Sequence, residues 1–434
     1  VTDYAAHPRH VLDHVAHPHH AWEGLGDAFE ALSERNYRLY FIGQCISASG
    51  PWMQAAAVSW LALDLTGSPL TMGTIASLQF VPVIPLSLVG GTLADRFAKR
   101  KLMLVFKVYE MLQSLVFGAL ALSGALQLWH LYVLSASLGL SIALSQPATR
   151  AFTSELVPPD KLASGFALTT TVMTTSRFLG PTLAGVALAS VGAGMCFLLN
   201  GLSYVGVLWA LLALRPAEFY AGEAKPSAPA QNGGVGEMLR FVWSSPNIVF
   251  ELILIALVGA FGYNFSSVLL PLIARHDHVV GAMGLFAFGF AMVVGSLIGT
   301  TISGRAKTAS RSLSVVSAAA FALLMLSLTL TTSFTLTVIL LVALGTALMV
   351  FGVSANTTVQ LLTPHPLRGR VMSLYMICYL GPPTLGASLT GALAEHWGVR
   401  TALVSEAGLI VAGLALSLLF VHHRLNQAPS GTPT

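Results

Sequence analysis

Two carboxylates and one guanidinium stand inside long apolar stretches of this chain: Glu110, Glu406 and Arg177. An ionisable group at membrane depth costs at least about 2.5–3.5 kcal/mol on insertion scales, so it implies a partner or a task. Glu110 and Glu406 read as the only acids well inside apolar segments, and a buried carboxyl is suited to carry a proton. Arg177 can hold an acidic ligand group. It can equally hold a backbone carbonyl released by Pro181, which has no N–H to donate. A third cluster lies between two apolar segments, where Gly91–Lys101 packs Asp95, Arg96, Lys99, Arg100 and Lys101 into one short link. Such charge density is tolerated at a membrane surface and not within it.

Uncharged groups able to hydrogen-bond are spread through other apolar stretches. Gln44, Ser47 and Gln54 share a face by helical spacing, with Trp52 and Trp60 adding aromatic surface. Tyr263 with Asn264, and Asn356 with Gln360, form two further groups. Amides and rings amid aliphatic walls suit a mid-sized amphipathic ligand. The competing role for each is hydrogen bonding between helices as packing. The serines at 137, 141 and 145 read as close helix packing rather than a site.

These residues need elements to position them. Only 9% of the 434 residues are charged and 55% are hydrophobic, against about 25% charged in soluble domains. Twelve stretches are long and apolar enough to span a bilayer. Their expected cores are Leu39–Leu63, Leu70–Leu93, Leu102–Leu126, Trp129–Pro147, Leu162–Val191, Ala193–Leu214, Ile248–Ile273, Gly281–Ser303, Ser312–Leu330, Phe334–Val359, Val371–Leu393 and Thr401–Phe420. The fold class is therefore all-α integral membrane, two six-helix halves over 39–214 and 247–422. A tail over 1–38, a flexible Pro/Gly-rich linker over 215–246 and a tail over 423–434 complete the organisation. With both termini inside, only Arg275 and Arg400 of the 22 Lys and Arg residues fall outside and only Arg177 falls within a span. That bias follows the positive-inside rule.

Gly180-Pro181-Thr-Leu-Ala-Gly185 in span 5 recurs as Gly381-Pro382-Pro-Thr-Leu-Gly386 in span 11. Both belong to the fifth helix of a half, as a parallel repeat requires. Both Gly-Pro pairs are expected to bend their helices. The three cysteines lie in apolar segments without ligand spacing and read as packing residues. The polar N-terminus lacks the apolar core of a signal peptide. It carries His7, His10, His14, His17, His19 and His20, but no acid or cysteine completes a metal site, so no metal is expected. No Gly-x-x-x-x-Gly-Lys-Ser/Thr loop is present for ATP. No nucleophile–base pair, paired carboxylate or ligand set supports an enzyme, and no cofactor is expected.

The link from Gly91 to Lys101 resembles the loop between helices 2 and 3 of major facilitator superfamily transporters. Further pieces, in order, are Trp52-Met53-Gln54, Gln146-Pro147-Ala148-Thr149-Arg150, Arg177-Phe-Leu-Gly180-Pro181, Asn264-Phe265, and Gly391 with Ala394-Glu395-His396-Trp397-Gly398. Together they resemble the twelve-helix drug/proton antiporter branch, which includes enterobactin exporters and macrolide-efflux pumps. Ala98 stands where the signature loop has a second glycine, and span 4 lacks the mid-helix arginine tied to proton coupling in many of these antiporters.

The resemblance implies a cavity lined by helices 1, 4, 7 and 10. It also implies a latch in which Asp95 caps the start of helix 11, with Gly91, Arg96, Arg100 and Arg150 around it. The expectation is a monomeric secondary-active exporter in a bacterial inner membrane. It would move a small amphipathic molecule, drug-like or a siderophore, outward against protons. Lipid flipping and a receptor without transport are the alternatives; nucleic acid is not expected as a partner.

Overall fold

The computed structural model describes residues 29–220, 235–276, 281–305 and 311–427. The His-rich segment His7–His20 lies outside the described residues. Twelve spans are formed, and among the described residues there is no strand.

Span 1 is Arg35–Ser47 followed by Ser49–Thr66, and span 2 is Pro69–Leu78 followed by Val83–Arg96. Spans 3 to 6 are Lys99–Leu122, Leu128–Leu156, Leu162–Ser190 and Ala193–Ala213. Span 7 runs Pro246–Asn264, a π-turn Phe265–Leu269, then Leu270–His276. Spans 8 to 10 are Gly281–Arg305, Arg311–Thr329 and Phe334–Leu362; span 11 is His365–Leu380 then Pro382–Trp397; span 12 is Val399–Gln427.

The breaks follow proline. Span 11 stops at Gly381 and restarts on Pro382-Pro383, since two successive residues cannot donate. Span 2 breaks just before Val83, where Pro82 and Pro85 stand. The expected bend at Gly180-Pro181 does not interrupt span 5, which is one helix across Pro181. Gly180 instead allows close approach: a methyl there would collide with the Trp52 side chain of span 1. The same dipeptide thus bends one half and packs the other.

Two boundaries differ from expectation. Span 1 begins at Arg35, within the expected tail, because Asn36 bonds Arg215 across the bundle end at 3.0 Å. Span 12 runs on to Gln427, into the expected C-terminal tail. The expected flexible linker contains a helix, Val235–Ser244, whose Met238 and Val242 are buried in the core. Their four-residue spacing is the apolar stripe of a surface helix.

Among the described residues, eight helices are long and apolar enough to cross a membrane: spans 3, 4, 6, 7, 8, 9, 10 and 12. Spans 1, 2, 5 and 11 fall short by that measure, and these four meet at the junction of the halves. The first segment of span 2 packs on the second segment of span 11, span 5 on span 8, and span 1 on span 5.

Candidate functional site

A cleft lies where the halves meet, enclosing about 600 Å³ with its open mouth included. The space within it that a water-sized group can occupy is only about 30 Å³, so the cleft is constricted in this conformation. Trp52 and Phe80 give aromatic walls, Ser59, Ser135, Ser266 and Ser267 give hydroxyls, and Arg177 gives the charge. Spans 1, 2, 4, 5 and 7 line it. Arg177 of span 5 lines it as expected; span 2 was not expected there, and span 10 was expected but does not contribute. The break in span 2 explains part of this, since Gln79 and Phe80 sit at the interruption and turn inward.

Arg177 is the link between halves inside the cleft. Its Nη1 donates to the Tyr379 hydroxyl of span 11 at 2.7 Å. Its guanidinium stands 6.0 Å from the Trp52 ring and 5.9 Å from Phe178, within cation–π range. Tyr379 in turn stacks on Tyr375, with ring centroids 6.2 Å apart. The cation is thus held in part by rings and a hydroxyl, an arrangement that can serve an anionic ligand.

The other expected binding residues divide. Trp52 lines the cleft. Gln54 does not: it is fully buried within one half, where its Oε1 accepts from Ser114 and Asn200, both at 2.7 Å. Asn264 is also buried and donates to the carbonyls of Ala260 at 2.6 Å and Pro383 at 2.9 Å. Both side chains are helix-packing amides, so hydrogen bonding between elements prevailed over ligand contact. Gln44 donates to Tyr40 at 2.6 Å, away from the cleft. Asn356 and Gln360 bond each other at 2.5 Å on span 10, also outside it. Tyr263 is on span 7, and its side chain is outside the described residues.

The serines missed by sequence reasoning, at 59, 135, 266 and 267, had no distinguishing signal among many serines. Ser137 and Ser141 do pack helices: Gln113 donates to Ser137, and Ser141 donates to Glu110 at 2.6 Å.

Three acids are buried within spans, one more than expected. Glu110 is paired with Lys107 at 2.7 Å and accepts from Ser141. Glu406 contacts the Thr390 hydroxyl of span 11 through Oε1. Glu251, overlooked near the start of span 7, is fully buried, and neither carboxylate oxygen has a hydrogen-bond partner in the described structure. Its sequence signal was plain, since it lies inside the apolar run from Ile248.

The two ends of the bundle differ. At the Asp64 end the halves are stitched together. Asp64 of span 1 pairs with Arg275 of span 7, whose guanidinium stands 5.7 Å from the Trp60 ring. Glu395 of span 11 accepts from the Ser68 hydroxyl and from the Leu70 N–H, the latter at 2.9 Å. These donors open a helix, a favourable place for a carboxylate. The Ser68 hydroxyl first, then the Leu70 N–H, hold the Glu395 carboxyl below its ordinary value. Ser77 and Ser388 hydroxyls meet at 2.8 Å.

At the Asp95 end, the following contacts among the described residues lie within one half. Lys99 pairs with Glu155 at 2.5 Å, and Arg100 donates to the carbonyls of Leu211 and Leu212 at 2.6 and 3.0 Å. Arg96 and Arg150 are exposed. Asp95 lies in the last turn of Val83–Arg96, where its own helix dipole disfavours an acid. Val83–Arg96 packs mainly on span 4, and His365–Leu380 mainly on span 7. Of the expected latch residues, Arg100 is engaged inside its own half with span 6; the side chain of Asp95 lies outside the described residues.

Comparisons with known proteins follow the same lines. The family model described as transmembrane secretion effector matches residues 27–431. The enterobactin exporter EntS of Citrobacter koseri is 27% identical over 405 residues, covering 92% of this chain and 94% of that protein. The MFS-type transporter YfiS of Bacillus subtilis is 26% identical over 383 residues, covering 86% and 90%. Among solved structures, a bacterial homologue of the human lysosomal transporter Spinster, inward-facing and occupied, superposes with a TM-score of 0.71 at 16% identity, covering 92% of this chain and 99% of that one. A bacterial homologue of ferroportin in an inward-facing state gives 0.65 at 16% identity, covering 89% and 98%.

Proposed function

The chain belongs to the major facilitator superfamily, and from that premise we propose that it is a proton-coupled exporter of a small amphipathic organic molecule. It is an integral membrane protein and a secondary transporter. The finer reading is export by alternating access, with the two halves, 39–214 and 247–422, rocking around the cleft. The substrate is a drug-like compound or a siderophore bearing an acidic group. The Asp95 end and both termini face the cytoplasm of a bacterial inner membrane, as the positive charge there favours. The working unit is a monomer.

One observation carries this reading: a cleft built by both halves and holding Arg177 is closed at the Asp64 end by cross-half contacts, while the described ion pair beside Asp95, Lys99–Glu155, lies within one half. A site reached from one side at a time is what alternating access requires. Asp95 then acts as the latch of the opposite state, closing the Asp95 end when the Asp64 end opens. The mixed aromatic, hydroxyl and guanidinium lining fits an amphipathic anion better than a sugar or a metal ion. The enterobactin exporters among its relatives make siderophore export the first substrate class to try.

The test is retention of a panel of dyes, drugs and catechol siderophores in efflux-deficient bacteria, with and without a protonophore. Lower retention that the protonophore and Asp95→Asn both abolish supports the reading. Equal retention across the panel at matched expression removes it.

A further inference from the structure

We propose that Glu406 is a proton-binding site, neutral in this conformation, and that the second segment of span 11 reads its protonation state. This rests on the proton-coupled reading above and names the group that carries the proton.

The argument begins with counting hydrogens. Thr390 has one hydroxyl hydrogen, and its Oγ1 lies within hydrogen-bond distance of two oxygens, the Gly386 carbonyl at 2.8 Å and Glu406 Oε1. A carbonyl can only accept. If Thr390 donates to Gly386, the Glu406 contact needs a hydrogen of its own, and the carboxyl proton supplies it. In the neutral form Oε1–H donates to Thr390 and Thr390 donates to Gly386, and both contacts are bonds. In the ionised form only one contact has a hydrogen. Oε2, which has no partner in the described structure, would then be part of a buried anion. Glu406 is fully buried, so water does not relieve that charge.

Among the described residues, no cation compensates. Burial and the Thr390 hydroxyl are the influences acting on its charge. Span 12 packs on spans 7, 9 and 11. On span 7, Arg275 is paired with Asp64, Glu251 lies toward the opposite end, and Tyr263 and His276 complete the ionisable groups. Span 9 offers only Arg311, at its first residue, over the Phe250 ring at 4.4 Å. On span 11, Glu395 is engaged by Ser68, His396 lies against Trp397, and Tyr375 and Tyr379 belong to the first segment with Arg368 and Arg370. On span 12 itself Arg400 is exposed at the helix start. Glu110 is the contrast, since Lys107 and Ser141 satisfy its charged form.

The opposite face of the same helical turn closes the Asp64 end. A methyl at Gly73 of span 2 would collide with the Ala387 carbonyl, and Ser388 bonds Ser77. Residues 386–390 therefore touch Glu406 on one side and the other half of the protein on the other. Ionising Glu406 is relieved by water, and water reaches it only if this segment moves. Proton release then favours opening the Asp64 end. In an exporter, that couples protons to the return of the cleft.

The experiment uses the full chain, purified in lipid nanodiscs without substrate. Infrared difference spectra report the carbonyl stretch of a protonated carboxylic acid. Because Glu251 is buried without partners as well, the band is read in a Glu251→Gln background, where it should be present at neutral pH and lost when Glu406→Gln is added. In parallel, Ser77→Cys with Ser388→Cys reports closure by disulfide yield, in a background lacking the native cysteines. Closure should fall as pH rises, the open-to-closed ratio changing up to about tenfold for each unit by which the carboxyl's pKa differs between the two states. Glu406→Gln should remove that fall in closure with rising pH.

A band that survives Glu406→Gln in the Glu251→Gln background, or a yield whose pH dependence is unaltered by Glu406→Gln, overturns the proposal. Should Glu406→Gln not fold, Glu406→Asp keeps the carboxyl and must shift the midpoint; an unchanged midpoint overturns the coupling. Neither readout involves substrate, so failure of export in cells leaves this test standing, and the reverse holds too.

Discussion

At the Asp64 end of the bundle, ion pairs and hydroxyl contacts run from one half to the other. At the Asp95 end, equally dense charge is spent inside a single half. Asp64–Arg275 and Glu395–Ser68 join spans that belong to different halves. Lys99–Glu155 and Arg100 with the Leu211 carbonyl join spans 3, 4 and 6 of the same half. Both ends have the residues for a closure. Only one end has partners in place. The difference teaches that, among the described residues, the basic cluster beside Asp95 is engaged within its own half while the Asp64 end is held across the halves.

The sharpest way to break this comparison is Asp95→Asn. The signature link keeps its basic residues, so insertion and expression should be normal. The state closed at the Asp95 end loses its acid. Transport should fall roughly tenfold or more, in line with coupling energies of about 1–3 kcal/mol. Initial rates of efflux from preloaded cells check it, and a native rate would show that the end closes without Asp95.

The opposite end can be pried apart by bulk. Gly73 faces the Ala387 carbonyl with no room for a methyl. Gly73→Leu should destabilise the closed Asp64 end by about 1–3 kcal/mol, the usual cost of overpacking. That corresponds to a shift of several-fold to about a hundredfold toward the open form. Accessibility of a cysteine placed at Ser59 to a membrane-impermeant thiol reagent measures it. An unchanged labelling rate would mean that the span 2–span 11 contact does not gate the cleft.

Much of this asymmetry was legible in the sequence, and the reason is topological. Twelve apolar runs, the placement of Lys and Arg, and the recurrence of Gly-Pro in spans 5 and 11 gave the spans and their pairing into halves. Asp95 and Arg177 stood out because charges at their depths need a reason. The amides misled: Gln54 and Asn264 look the same in sequence whether they face a ligand or a neighbouring helix. Helical spacing gives a shared face without saying what covers it. The lining from span 2 was hidden too. It depends on how far the break before Val83 turns Gln79 and Phe80, which is a matter of packing. Glu251 was legible and was passed over because it lies near the end of its span.

Arg177 sharpens the comparison from the middle, since its bond to Tyr379 joins the halves at the cleft. Arg177→Gln should weaken binding of acidic ligands by about tenfold or more, the scale of a lost charge-assisted hydrogen bond. Neutral ligands should change little. Equilibrium binding of a matched acid and its methyl ester to the purified variant separates the two. Equal loss for both would make Arg177 a strut between the halves rather than a ligand contact.

The smallest effect belongs to Glu395. Its carboxyl is held below its ordinary value of 4.5, the Ser68 hydroxyl being the main cause and the Leu70 N–H the next. A depressed carboxyl stabilises the bonded state above the ordinary value and loses that contribution as pH falls through the lowered one. At neutral pH the clasp is complete, and only strong acid releases it. The group is exposed, so solvent screens the interaction and its worth is small. Glu395→Gln should change closure less than severalfold at neutral pH, and the residual response to pH below 4.5 should disappear. The Ser77–Ser388 disulfide yield reads both. Glu406 acts in the opposite direction, favouring closure when protonated, so the two acids separate by the sign of their pH response. A single variant that removed both responses would place them on one pathway and dissolve the distinction between a surface clasp and a buried proton site.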